Sequence, residues 1–331
     1  MASTQNASTD SAPTDNPHIL RGYVSIAAAG LCWGISATLG RAVFTGRLLN
    51  GAGMIHPVDP LILSQARTTI TFLILVPFML MHRGMAVFRM PRRDLIQSLL
   101  LGVIGMAFCN YSYYLAIQRT NAATAITLQY AAPVLVLLYM VARGKQRATP
   151  GRVGSVLMAV LGIAIAIGLI GPEHFKLDWK GVLAAEIAAV TFAYYNIGSS
   201  SLLKRYDRWQ LLLLAQFAAA LWWNIVNPPW KVIAAHYDRA EWIFLVIFAL
   251  LSALIPSALY LGGLRYLDAT RAIVTSCLEP VFTIVIAASA LGEKVKGLQV
   301  IGIALVLLAT IAVQLTGRER GLDPVVVEPV D

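Results

Sequence analysis

Apolar runs long enough to cross a bilayer follow one another along almost the whole chain. Ten are counted, at about 22–44, 60–82, 95–117, 121–142, 151–171, 181–203, 209–227, 241–264, 269–291 and 298–315. A hydrocarbon core roughly 30 Å thick takes about 20 such residues per crossing. Hydrocarbon offers no partner to a backbone amide or carbonyl, so these segments fold as helices that satisfy their own hydrogen bonds. Hydrophobic residues make up 58% of the chain and charged ones 13%, far from the balance of a soluble domain. The connections leave no room for a soluble catalytic domain. The expected fold is an all-α polytopic membrane protein with ten transmembrane helices.

A net charge of +9 raises the question of nucleic acid, and its placement answers it. With the N-terminus set in the cytoplasm, 16 of the 26 Lys and Arg fall inside and 8 outside, while Arg41 and Arg67 lie within spans. That bias follows the positive-inside rule and puts both ends in the cytoplasm. Residues 1–21 lack the charged start and apolar centre of a signal peptide, and are expected to be a disordered cytoplasmic tail. Residues 318–331 form a second tail. Cys32, Cys109 and Cys277 all fall inside spans, where no extracellular disulfide framework can form.

The chain also repeats itself. Residues Tyr113–Val134 align without a gap to Tyr260–Val281, matching Tyr113 to Tyr260, Ala122 to Ala269 and Pro133-Val134 to Pro280-Val281. Five spans separate the copies, and five is odd, so each helix of the second half runs opposite to its partner. Two inverted five-helix repeats are expected, at residues 22–171 and 172–317. Such bundles are common among secondary transporters, which bind solute near the midplane between the halves.

Several short patterns carry a family likeness: Trp33-Gly34 in span 1, Pro60 and Arg67 in span 2, and Thr120, Ala125 and Pro133-Val134 around span 4. The strongest runs from Leu278-Glu279-Pro280-Val281 through Leu291-Gly292-Glu293 to Gln299-Val300-Ile301-Gly302. Their order resembles the EamA-type branch of the drug/metabolite transporter superfamily, from Gly22 to Leu315. The resemblance implies ten helices, two five-helix repeats, a bacterial inner-membrane location and secondary transport of small organic solutes, often amino-acid export. One departure is the run Gly144-Lys145-Gln146-Arg147, where the family often carries a glutamate matching Glu293.

Charges inside a bilayer are expensive, so each asks for an explanation. Glu279 is the deepest. It reads either as a proton-binding acid, or counter-charge for a substrate ammonium, or as a helix-packing acid. Pro133 and Pro280 lack an amide hydrogen and leave the carbonyls of Gln129 and Ser276 without their usual partners. Two kinked helices near the midplane are therefore expected, with Gln129 and Ser276 at a wet cavity. Trp33, Asn110, Tyr113, Tyr194, Tyr195 and Tyr260 supply the aromatic and amide groups of a site for a small amphipathic solute. Arg41, Arg67 and Glu186 share the outer third of the membrane and read as a gate or a structural ion pair. Trp222, Trp223 and Trp230 read as interfacial anchors, and Gly30-x-x-x-Gly34 as a close helix crossing.

An enzyme is the weaker alternative. His18, His56, His82, His174 and His236 lie in tails, loops or span edges, which leaves no buried Ser–His dyad or metal site. No metal or cofactor is expected. The expected partners are a small-molecule solute, the lipid bilayer and protons as coupling ion. The leading reading is an exporter of amino acids or related metabolites. Uptake or exchange of a sugar, nucleobase or organic cation stays open, as does a non-transporting receptor or assembly subunit.

Overall fold

The computed structural model describes residues 17–44, 60–119, 125, 128–166, 178–234, 236–291 and 297–318. Among them every long element is helical. Helix α1 is Pro17–Phe44 and α2 is Pro60–Arg83. A 3-10 turn at Gly84–Phe88 precedes α3 (Arg92–Leu100), which runs through a π-helical stretch (Leu101–Phe108) into α4 (Cys109–Arg119). Then come α5 (Ala132–Ala142), α6 (Pro150–Ala166), α7 (Trp179–Leu202), α8 (Arg208–Val226) and the short α9 (Pro229–Ile233). Helix α10 (Arg239–Ala249) passes through a second π-helical stretch (Leu250–Leu254) into α11 (Ile255–Leu264). The last three are α12 (Ala269–Ser276), α13 (Leu278–Leu291) and α14 (Gly297–Arg318).

Seven segments among the described residues are long and apolar enough to cross a membrane, and three shorter apolar helices, Ala132–Ala142, Pro150–Ile165 and Val300–Val313, fall at the other expected spans. The expected boundary at 171/172 lies outside the described residues. So do most of the two tails, although residues 17–21 already belong to α1 and Arg318 to α14. Proline at a first helical position loses nothing, because that amide has no intrahelical partner, so Pro17 is a natural start.

Aspartates start four of these helices. Asp178, Asp207, Asp238 and Asp268 cap α7, α8, α10 and α12, each accepting a backbone N–H from the first turn at 2.7–3.0 Å. At Asp238 the cap is reciprocal, because Glu241 accepts the Asp238 amide at 2.8 Å.

The packing is that of a bundle in lipid. Helix α7 buries Ala184, Ala185, Ala188, Ala189 and Ala193 while exposing Leu183, Ile187 and Val190. Lipid tails are as apolar as leucine, so helices gain by close contact through small residues and turn large apolar side chains outward. This is a multi-pass integral membrane protein. Helix α1 packs on α11 and α13, α7 on α4 and α5, α2 on α8, and α6 on α14. Helix α8 also packs on α3 and the first π-helical stretch, and α2 on α10 and the second. Gly34 of α1 admits the α13 backbone, since a Cβ there would lie 3.1 Å from the Thr283 nitrogen. Trp230 is exposed, as an anchor should be, but Trp223 is not an anchor: it is buried against Tyr111, with ring centroids 5.6 Å apart. Trp223 lies on the face of α8 that meets the rest of the bundle, so packing decides its place.

One end of the bundle is braced by ion pairs. Asp207 lies 3.3 Å from Arg83 and 3.7 Å from Arg265, and Asp268 lies 3.7 Å from Arg152 and 3.3 Å from Arg271. Buried Asp94 accepts from Arg205 at 2.7 Å and from the Tyr206 hydroxyl at 2.5 Å. Asp94→Asn weakens both bonds, and is expected to lower unfolding stability by about 1–3 kcal/mol. Thermal unfolding in detergent measures it, and a melt equal to wild type contradicts it. The hydrogen bond to Asp94, helped by burial and by the Asp94 charge, holds the Tyr206 phenol above its usual range. This contribution is complete below the unfolded tyrosine value of about 10 and fades as pH rises through the higher folded value. Tyr206→Phe is expected to flatten the stability profile above that pH.

Candidate solute site at the helix breaks

Two interruptions define the centre of the bundle. The chain turns at Tyr130 and Ala131 before α5, and at Cys277 between α12 and α13. In the gapless alignment of the two copies, Tyr130 faces Cys277, so the breaks fall at equivalent places. Pro133 and Pro280 each lie in the first turn of the helix that follows, where the missing amide hydrogen costs that helix no bond of its own. The second break carries the acid. Glu279 is partly accessible, and its Oε2 accepts from the Tyr130 hydroxyl at 2.9 Å. The same hydroxyl lies 3.2 Å from the carbonyl of Ser276, the group that Pro280 leaves without its amide partner.

Arg67 faces this region from α2. Its guanidinium donates to Asn110 Oδ1 at 3.3 Å, to the Tyr114 hydroxyl at 3.1 Å and to the Ser252 carbonyl at 2.5 Å. Trp33 Nε1 donates to the same carbonyl at 3.2 Å. Ser252 lies midway along Arg239–Leu264, so the long arginine side chain ends well below the depth at which its backbone enters. Among the described residues the hydrogen-bond partners of Arg67 are neutral. Its charge acts on Glu279 through the intervening space, and the two groups form no ion pair with each other.

The predicted residues divide into two sets. Trp33, Asn110, Tyr113, Gln129, Tyr194 and Glu279 are partly accessible, whereas Tyr195, Tyr260 and Ser276 are buried. Tyr260 serves packing: its ring lies 5.5 Å from Trp33 and 6.4 Å from Phe192, and its hydroxyl donates to Asn196. Tyr195 fills the space beside Gly105. The Ser276 hydroxyl donates back to the Ile273 carbonyl at 2.7 Å rather than into a cavity. Gln129 donates to Cys109 Sγ at 3.7 Å, tying the first break to α4. Glu186 is partly exposed on α7, with no ion pair to Arg67, and the Arg41 side chain lies outside the described residues.

Sequence reasoning missed Tyr130 and Ser252. Tyr130 was visible as a mismatch in the repeat, a hydroxyl opposite a thiol. Ser252 carries no such signal, because the group that Arg67 and Trp33 reach is its backbone carbonyl and not its side chain. No group of His, Cys, Asp and Glu suited to a metal ion occurs among the described residues.

Known proteins share this architecture. The inner membrane transporter YicL of Salmonella typhimurium is 22% identical over 91% of this chain and 97% of its own. The threonine/homoserine exporter RhtA of the same species is 24% identical over 82% of this chain and 88% of its own. A transporter of Archaeoglobus fulgidus is 25% identical over 75% and 84%. One solved crystal structure superposes with a TM-score of 0.71 at 20% identity, covering 92% of this chain and 98% of that one. The model of the EamA-like transporter family matches residues 20–168 and 179–315. A match across both halves, on a bundle of membrane helices with a polar, broken centre, places this chain in the EamA-like transporter family.

Proposed function

We propose that the protein exports amino acids or related small amphipathic metabolites by alternating access of two inverted five-helix repeats, with both termini cytoplasmic. The pairing of helices supports the inversion. Exchanging the halves turns the contact of α1 with α11 into that of α7 with α4, and the contact of α1 with α13 into that of α7 with α5. It turns α8 on α3 into α2 on α10, and returns α2–α8 and α6–α14 to themselves. The two π-helical stretches and the two breaks fall at equivalent places as well.

The observation that carries the reading is a pair of opposite charges, Glu279 and Arg67, set in one interior and, among the described residues, hydrogen-bonded to neutral groups. A zwitterion matches them, with its ammonium at Glu279, its carboxylate at Arg67 and its side chain among Trp33, Tyr113 and Tyr194. RhtA, named for threonine and homoserine, marks the solute class to try first. Protons are the proposed coupling ion, with Glu279 as their carrier.

A thermal-shift screen of the purified protein against amino acids, sugars, nucleosides and organic cations tests the solute class. An amino acid is expected to raise the melting temperature, and Arg67→Gln to weaken its binding about 10–100-fold by removing a charge-assisted hydrogen bond. Stabilisation by a sugar or nucleoside alone, or an Arg67→Gln variant that binds as wild type does, contradicts the reading.

A further inference from the structure

Two of the positions at which the copies of the repeat differ touch each other. Where the first copy has Tyr130 the second has Cys277, and where the second has Glu279 the first has Ala132. The Tyr130 hydroxyl, from the break before α5, meets Glu279 and the Ser276 carbonyl at the break before α13. That hydroxyl carries a single proton and has two acceptors, at 2.9 and 3.2 Å. It serves one of them at a time.

We propose that Tyr130 is a positioning residue that transmits the protonation state of Glu279 to the helix break in the second half. When Glu279 is ionised, the Tyr130 O–H donates to its carboxylate, and the Ser276 carbonyl loses that donor. When a proton arrives from water, the neutral acid donates to the Tyr130 oxygen, and the Tyr130 proton turns to the Ser276 carbonyl. One proton is gained by Glu279 and none by Tyr130. The neutral state thereby fastens the end of α12, at Ser276, to the first half of the chain, whereas the ionised state releases that end and holds α13 alone, through Glu279.

The surroundings suit a switch of this kind. A carbonyl stripped of its amide partner in lipid must find a donor, and the Pro280 ring removes the amide four residues on that would otherwise supply one. Groups with protons or charge that face Glu279 are Arg67 from α2, Cys109 and Tyr113 from α4, Tyr130, and Cys277 beside it in the chain. From α1 the approach is by Gly30 and Gly34, which bring backbone close and no competing donor side chain. Tyr130 itself is buried. Among these groups only Tyr130 is hydrogen-bonded to both the carboxylate and the stripped carbonyl.

The inference rests on Glu279 as a proton carrier, and its test uses no solute. Infrared difference spectra of the purified full chain in lipid nanodiscs follow the protonated-carboxyl band as pH is changed, with Glu279→Gln assigning the band. In Tyr130→Phe the midpoint of that band is expected to move to higher pH by about one unit, because the ionised form loses its charge-assisted donor. In the wild type, ring-labelled tyrosine is expected to change at the same pH as the carboxyl band, and that change to vanish in Glu279→Gln. This second measurement needs no Tyr130 variant to fold. A carboxyl band that titrates alike in wild type and Tyr130→Phe, or a tyrosine signal silent through its midpoint, overturns the role of Tyr130 alone. A band that never titrates overturns Glu279 as the carrier, and the switch with it.

Discussion

Glu279→Gln is expected to cut solute flux by about 100-fold or more and to leave what remains independent of pH. The substitution keeps the size and the Tyr130 hydrogen bond of the side chain but removes both its charge and its titration. If the acid holds a substrate ammonium, its loss strands that ammonium in the bundle interior without a counter-charge, a penalty of about 3–5 kcal/mol that corresponds to at least 100-fold in affinity. If it carries the coupling proton, glutamine fixes the neutral state, and a gradient of protons has nothing to act on. A merely structural acid gives the opposite pattern: glutamine satisfies the same neighbours, and flux keeps its size and pH profile. Membrane yield and melting temperature close to those of wild type accompany the expected loss, separating function from folding.

The second large effect is structural. A Cβ at Gly102, in the first π-helical stretch, would lie 2.2 Å from the Ala215 carbonyl oxygen and 2.8 Å from the Ala218 Cβ. Both are backbone or its first carbon, so no side chain can swing aside. Gly102→Val is therefore expected to push α8 away from its neighbour and to destabilise the bundle by about 3 kcal/mol or more, the upper range for overpacking. Gly154 provides the contrast, because nothing lies within 4 Å of a Cβ built there. Within α6, Gly154→Ala is expected to be neutral or stabilising by up to about 1 kcal/mol through helix propensity. Melting temperatures of the two variants check the pair. A Gly102→Val protein that melts with wild type removes the close crossing of α8 from the account.

These effects differ in how far the sequence foretells them. The membrane helices are legible as apolar runs, because the length needed to cross hydrocarbon is a one-dimensional property. The same holds for the two breaks, since Pro133 and Pro280 each remove an amide hydrogen from an apolar run, and for Glu279, which stands out as an acid in an apolar run. Contacts between runs are another matter. Arg67 enters the membrane near one end of α2, and sequence depth alone sets it in a peripheral gate. Its side chain instead reaches the mid-span carbonyl of Ser252. Tyr195 and Tyr260 look like cavity residues by composition, yet both are buried in the packing of α7 and α11. Trp223 shows the same limit, since an interfacial tryptophan and a core tryptophan at a helix end have identical sequence signatures. Periodicity says that a residue lies in a span, while the neighbouring helix decides whether it meets solute, lipid or protein.

Tyr130 shows where more was available. Alignment of the copies draws the eye to their agreement, above all to the matched prolines. The chemistry gathers where they disagree, because a symmetric pair of acids at the breaks would place two like charges at the centre of the bundle. One acid, one tyrosine and one arginine make that centre polar without a second acid.

The most direct measurement is counterflow in vesicles reconstituted with the purified protein. Unlabelled threonine or homoserine is loaded inside, and entry of the labelled amino acid is followed at several pH values for wild type and Glu279→Gln. The account predicts a transient accumulation of label in wild type, dependent on pH, and none in Glu279→Gln. No accumulation of either amino acid in wild type, or the same accumulation and pH profile in both proteins, contradicts it.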